Sequence, residues 1–329
     1  MTAPHGGRLN QAARDWGIPV DDWLDLSTGV NPWPWPVPEI PPRVWQRLPE
    51  DDDGLAATAR QWAGAPDAAG CLPVAGTQAA IQALPRLRTL GRIGVPFPAY
   101  TEHAEWWRAG GHEVIPFAEL PSDEALAGLD ALVWINPNNP TAEQVTRARL
   151  MACHERLAAH GGWLVVDEAF IDAEPAETLV PETGRQGLVV YRSLGKFFGL
   201  AGLRAGLVFG PSRLCNQLGE SLGLWAVSHP ARYLMQKALM DRHWQQATTT
   251  RLRVDSDHLS GMLRDVGLMP RASTPLFVYC PHDNPGRVAD ALAQQAVLVR
   301  VFEDPGALRF GLPGARTEWQ HLERVLNAL

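Results

Sequence analysis

The chain has 329 residues, 46% of them hydrophobic, so it can bury a large core but exceeds the size that one core usually supports; two domains are expected. A formal charge of −7 excludes the broad basic face that a nucleic-acid binder needs, so any acidic ligand must be held by individual arginines. Cys71, Cys153, Cys215 and Cys280 are widely spaced, without a C-x-x-C pair or zinc-finger histidines, and no apolar run approaches the ~18 residues of a membrane span. Reduced thiols, no metal site and a cytoplasmic location are therefore expected.

The N-terminal Met1 to Gln11 is polar and lacks the apolar stretch of a secretory signal. Six prolines between Asn31 and Pro42 fix φ and remove amide donors, which predicts an extended connector. Beyond it, short apolar runs alternate with longer amphipathic segments, the pattern of a mainly parallel sheet wrapped by helices. The strands expected are Arg92–Val95, Glu113–Pro116, Ala131–Ile135, Trp163–Val166, Leu188–Tyr191 and Ala205–Phe209. Between the third and fourth of these, Thr141 is placed to cap a helix, with Glu143 in its first turn, Leu150, Cys153, Leu157 and Ala158 at helical spacing, and Gly161-Gly162 to end it. After Pro230 a long helical stretch runs towards Asp265. A strand at Leu276–Tyr279, a helix near Arg287–Gln295, strands at Val297–Phe302 and Ala307–Phe310 and a last helix follow. The domains expected are residues 43–246, large and α/β, and residues 1–42 with 247–329, small and α+β.

Four segments carry chemistry, in a fixed order. Lysine occurs only twice in the chain, at Lys196 and Lys237. Lys196 stands in a Gly-rich turn after an apolar run, three residues past Ser193 and eight before Arg204, whereas Lys237 lies on the solvated face of a predicted helix. An amine so placed can form a Schiff base with a carbonyl cofactor once a desolvated site beside Arg204 lowers its pKa from the ordinary ~10.4. Ala75-Gly-Thr-Gln78 lies at a loop-to-helix junction, where the bare Gly76 permits close approach of an anion to backbone N–H groups. Asn136-Pro-Asn-Asn139 follows a strand and presents amides at the sheet's carboxyl edge. Asp167 ends another strand and can keep a buried ring nitrogen protonated. Each segment alone also reads as a helix start, a turn or a cap.

Together they resemble the fold-type I, aspartate-aminotransferase-like enzymes that use pyridoxal 5′-phosphate, and the resemblance spans nearly the whole chain. It implies Lys196 as the Schiff-base lysine, Asp167 on the pyridinium nitrogen, Asn139 on the ring hydroxyl and Tyr100 stacked on the ring. The cofactor phosphate falls to Gly76, Thr77, Gln78, Ser193 and Arg204, and the substrate α-carboxylate to Arg309. A homodimer is implied as well.

Within that family, His5-Gly-Gly-Arg8 and Trp23-Leu-Asp-Leu-Ser-Thr-Gly-Val-Asn-Pro32 resemble the L-threonine-O-3-phosphate decarboxylases of cobalamin biosynthesis. That resemblance implies His5 and Asn31 near the substrate's phosphate or its reactive end, and (R)-1-amino-2-propanol O-2-phosphate as product. Phe170 stands where the aminotransferases commonly carry Tyr, a substitution the decarboxylase group shares. Leu48-Pro49 replaces a Tyr-Pro whose phenol would reach a neighbouring subunit's phosphate. Holding the substrate carboxylate perpendicular to the ring plane selects decarboxylation; holding the hydrogen there selects transamination. The alternatives are a histidinol-phosphate-type aminotransferase acting on a phosphorylated amino acid and, third, a non-catalytic scaffold that binds the cofactor.

Overall fold

The computed structural model describes residues 6–329, which form two compact units. One comprises Trp35–Asn139 and Gln144–Gln245; the other comprises the chain up to Pro34, Pro140–Glu143 and Gln246–Leu329. In chain order the first strands are β1 (Leu24–Asp25), β2 (Ala69–Val74), β3 (Arg92–Pro96), β4 (Glu113–Phe117) and β5 (Ala131–Ile135). They are followed by β6 (Trp163–Asp167), β7 (Leu188–Ser193) and β8 (Gly206–Pro211). The last are β9 (Ala272–Thr274), β10 (Phe277–Pro281), β11 (Val297–Leu298), β12 (Arg300–Glu303) and β13 (Gly306–Gly311).

Seven strands build the sheet of the larger unit, in the order β2-β8-β7-β6-β5-β3-β4. All pairs are parallel except those made by β8, which runs against both of its neighbours. Every residue of β5 is buried, as expected for a parallel strand covered on both faces. Val133, Val165, Val189 and Val208 from adjacent strands share one core cluster with Ile81, Leu84 and Trp107 from the helical layer. The sheet is α/β and mainly parallel, as the alternating pattern predicts. Edge strand β2 escaped that pattern because Gly70 and Pro73 interrupt it; Pro is tolerated in an edge strand that needs fewer amide donors.

Two helix boundaries differ from expectation for identifiable reasons. The helix after β5 spans Arg147–Ala158, and Thr146, not Thr141, caps it, its hydroxyl accepting from the Arg149 amide. The Asn136 side chain bonds both the carbonyl and the amide of Val145, at 2.9 and 2.8 Å, which holds the preceding residues as a loop. The long helical stretch is two helices, His229–Met240 and Arg242–Asp265. Asp241 separates them: its carboxylate accepts from the Trp35 indole and from the Trp244 amide, capping the second helix.

The smaller unit holds a four-stranded antiparallel sheet, β12-β13-β10-β9, and a short parallel pair, β1 with β11. Val297–Phe302, expected as one strand, divides at Val299 because its halves pair with different partners, β1 and β13. Gly311 in β13 is required by close packing. A Cβ there would lie 2.2 Å from the Thr28 carbonyl oxygen, and the Gly311 amide donates to Leu26.

Candidate active site

Strand register places most of the singled-out residues of the larger unit along one edge of its sheet. Val74 is opposite Gly206, Gly206 opposite Ser193, and Asp167 opposite both Tyr191 and Ile135. The segments leaving those positions carry Gly76, Thr77 and Gln78 after β2, Asn139 after β5, Lys196 after β7 and Arg204 just before β8. Tyr100 follows β3 at the start of the helix Thr101–Ala109. Ligands of open α/β sheets bind at the carboxyl ends of the strands, and this edge is such a place.

Asp167 is 4% exposed. One of its oxygens accepts from the Ala169 amide at 3.0 Å, and the other lies 2.9 Å from His103 Nε2. His103 was not singled out in the sequence. It is buried, its ring stacks near-parallel on Tyr191, and it meets Tyr100 edge-on. The available signal was its position three residues beyond Tyr100 on one helix face. Burial, then the nearby Glu102 and Asp167, pushes the Tyr100 phenol above its ordinary range, so it remains a neutral hydrogen-bond donor. That donor is committed to Gln78 Oε1 at 3.1 Å.

Lys196 is half-buried, with Nζ 5.3 Å from the centre of the Phe170 ring. Arg204 adopts a left-handed backbone, φ 53°, and a Cβ on Gly76 would come within 2.7 Å of its guanidinium. Gly76 itself has φ 75°, a conformation that calls for glycine, and a side chain there would also push the Arg204 guanidinium aside. Ser193 accepts from the Gly195 amide at the turn into the lysine segment.

Beneath this edge lies a buried ionic group that the sequence reading missed. Arg192 bonds Asp172 through Nε at 2.7 Å and through a second nitrogen, donates to Thr178, and has Glu168 at 3.7 Å. Its guanidinium also lies over the Trp62 ring. Arg192 alternates with Tyr191 and Ser193, so it points away from the face they share.

In the smaller unit, Arg309 of β13 is 6% exposed, donates to the Ser27 carbonyl at 2.9 Å and lies over the Phe277 ring. Burial, then Arg300 directly across the strand pair, disfavours its charge. Two arginines facing one another suit an anionic ligand, and Arg300 is a second cation that the sequence reading missed. Asn31 is buried and caps a turn through the Trp33 amide. His5 lies outside the described residues. Among the described residues no cluster of His, Cys, Asp and Glu is arranged for a metal, and no helix is long and apolar enough to cross a membrane.

The chain belongs to the aminotransferase class I and II family, whose model matches residues 57–329. It is 47% identical to a threonine-phosphate decarboxylase of Pseudomonas aeruginosa over 98% of this chain and 96% of that protein. A threonine-phosphate decarboxylase of a Sinorhizobium species is 39% identical over 95% and 94% of the two chains. Among solved structures, histidinol-phosphate aminotransferase from Sinorhizobium meliloti in complex with pyridoxal-5′-phosphate aligns with a TM-score of 0.81. That alignment is 17% identical and covers 99% of this chain and 96% of the other, a likeness of fold.

Proposed function

We propose that this chain is a pyridoxal 5′-phosphate enzyme that decarboxylates L-threonine O-3-phosphate to (R)-1-amino-2-propanol O-2-phosphate, a step of cobalamin biosynthesis. One observation carries the reading: Lys196, Asp167, Ser193, Arg204 and Gly76 occupy one sheet edge in a chain 47% identical to a threonine-phosphate decarboxylase along nearly its whole length.

The residues present fit the cofactor's functional groups. Gly76 leaves its backbone open against Arg204, which with Ser193, Thr77 and Gln78 offers cationic and neutral donors to a phosphate. Lys196 is the amine that would bind the aldehyde, Asn139 would meet the ring hydroxyl, and Tyr100 would supply an aromatic face. Bound pyridoxal phosphate supplies the electron sink for the bond broken at the substrate's Cα.

The chain's own residues then decide which bond that is. Asp167, buried and bonded on both oxygens, would hold a proton at the cofactor's ring nitrogen, because opposite charges favour one another most where water is excluded. Phe170 has no phenol to offer, so the groups near Lys196 Nζ include one fewer donor than a tyrosine would supply. Lys196 Nζ is the group placed to return a proton to Cα. Arg309 would grip the substrate carboxylate, with Arg300 opposite it as a second cation, and Asn31 and His5 would meet the phosphate or the reactive end; gripping both ends of a small substrate fixes its rotation, and orientation effects on rate are large.

The enzyme acts as a cytoplasmic homodimer in this reading. Exposed Trp45, Leu48, Leu224 and Trp225 support burial against a second copy, and sedimentation tests it. The four cysteines are free thiols, which accords with a reducing compartment. The decisive assay supplies threonine phosphate without any 2-oxo acid. Release of CO₂ with the phosphorylated amino alcohol is expected; a strict requirement for 2-oxoglutarate would establish the aminotransferase alternative instead.

A further inference from the structure

Glu102 has no part in the function so far described, yet it is a buried carboxylate, 8% exposed, next to residues that do. It stands in the first turn of the helix Thr101–Ala109, where the helix dipole favours an anion. Its Oε2 accepts from the Trp106 indole at 2.9 Å, one helical turn on, and from Gln78 Nε2 in a short hydrogen bond. Gln78 Oε1 in turn accepts from the Tyr100 hydroxyl at 3.1 Å.

The chemistry of this relay dictates its direction. A carboxylate only accepts, so Gln78 must turn its NH₂ end to Glu102; the amide's oxygen is then the end that faces Tyr100, and the phenol must donate. Without the carboxylate, the Gln78 amide could present either end, and the phenol could donate or accept. Tyr100 would lose the fixed partner that sets its ring angle. The same ring meets His103 edge-on, and His103 bonds Asp167. The relay therefore ends among the groups assigned to one face, through Tyr100, and to the nitrogen of the cofactor ring, through Asp167.

We propose that Glu102 is a positioning residue for the cofactor: acting through the Gln78 amide, it fixes Tyr100 as a donor and holds the Tyr100 ring at one angle. This rests on the functional reading above, in which Tyr100 lies on the pyridoxal ring. The measurement is the rate at which pyridoxal phosphate leaves the holoprotein, followed by loss of its absorbance after dilution, for wild type, Glu102→Leu, Glu102→Gln, Tyr100→Phe and the Glu102→Leu/Tyr100→Phe pair.

Glu102→Leu removes the acceptor and is expected to speed cofactor loss about fivefold, the size of one net hydrogen bond. Glu102→Gln keeps an oxygen for Gln78 and Trp106 and should stay within about twofold of wild type. In the Tyr100→Phe background, Glu102→Leu should change the rate by less than about twofold, because the hydroxyl through which it acts is gone. If Glu102→Leu does not fold, Gln78→Leu is measured with and without Tyr100→Phe: the part of its effect that disappears with the phenol belongs to the relay and should be about fivefold, and an effect that persists in full without the phenol overturns the proposal.

A carboxylate that acted only by its charge would repel the cofactor phosphate, so both Glu102 variants would then retain cofactor longer than wild type. That result overturns the proposal, as does an unchanged rate in Glu102→Leu or an effect that persists in full without the phenol. Wild-type protein that binds no pyridoxal phosphate sinks the functional reading and this proposal with it. A normal wild-type cofactor band with no effect of Glu102→Leu sinks the proposal alone.

Discussion

Glu168→Gln tests the charge balance beneath the active-site edge. One guanidinium, Arg192, serves two buried carboxylates: Asp172 takes its direct hydrogen bonds, and Glu168 stands 3.7 Å away. Burial pushes the Glu168 carboxyl up from 4.5 to about 7, against the lowering influence of Arg192, Thr178 and the Leu179 amide, while Asp172 adds to the rise. The native state therefore binds a proton that the unfolded chain has released between pH 4.5 and about 7. Stability from this group is fully present below pH 4.5 and is lost as the pH rises through about 7. The span is worth about 3 kcal/mol, which for a chain of this length is about 5 °C in melting temperature. Glutamine mimics the protonated acid and does not titrate. Melting temperatures of wild type and Glu168→Gln should thus move relative to each other between pH 5 and pH 8, the variant gaining about 5 °C on wild type at the higher pH. A difference that stays constant across that range would refute the raised carboxyl and the one-cation, two-anion balance behind it.

Three other substitutions address the site directly. Lys196→Ala should lower decarboxylation by about three orders of magnitude or more and leave no cofactor that borohydride can fix to the chain; substantial turnover would contradict a covalent role. Gly76→Ala places a methyl 2.7 Å from the Arg204 guanidinium in a left-handed backbone. It should cost about 1–3 kcal/mol and weaken cofactor binding, read by thermal melting and by titration with pyridoxal phosphate. Arg309→Lys keeps a cation but loses the planar fork and the geometry of the Ser27 contact, so KM should rise by about tenfold or more in steady-state assays.

The elements that sequence pattern revealed are those whose pattern follows from local rules. Ala131–Ile135 was legible to the residue because a strand buried on both faces is an unbroken apolar run bounded by turn residues. Lys196, Asp167 and Asn139 were legible because each sits at or just past the end of a strand, and Arg204 because it stands just before the start of one; such boundaries are visible in composition. Thr141 misled because a capping residue is defined by what its side chain reaches, and here a distant Asn136 claims Val145 and moves the helix start to Thr146. Val297–Phe302 misled because partner choice, not propensity, divides it.

The polar residues that escaped notice share one property: their partners are remote in sequence and their side chains leave the expected face. Arg192 interrupts an apolar strand, which by itself signals a charge that must be paired, but Asp172 and Glu168 become its partners only after the chain returns from β6 to β7. His103 could have been placed by helical spacing from Tyr100, yet nothing in spacing says that Asp167, sixty-four residues on, receives it. Arg300 is the instructive case. The register that sets Arg300 opposite Arg309 also pairs Glu303 with Gly306 around Asp304-Pro305, and that turn is visible in the sequence. Where a hairpin sets two arginines opposite one another, burial of Arg309 and the nearby Arg300 make the charge on Arg309 costly, and an anionic ligand is the partner that reverses it. Anions at saturating concentration should therefore raise the melting temperature of wild type more than that of Arg300→Gln, and an equal rise in both would remove Arg300 from the anion's grip.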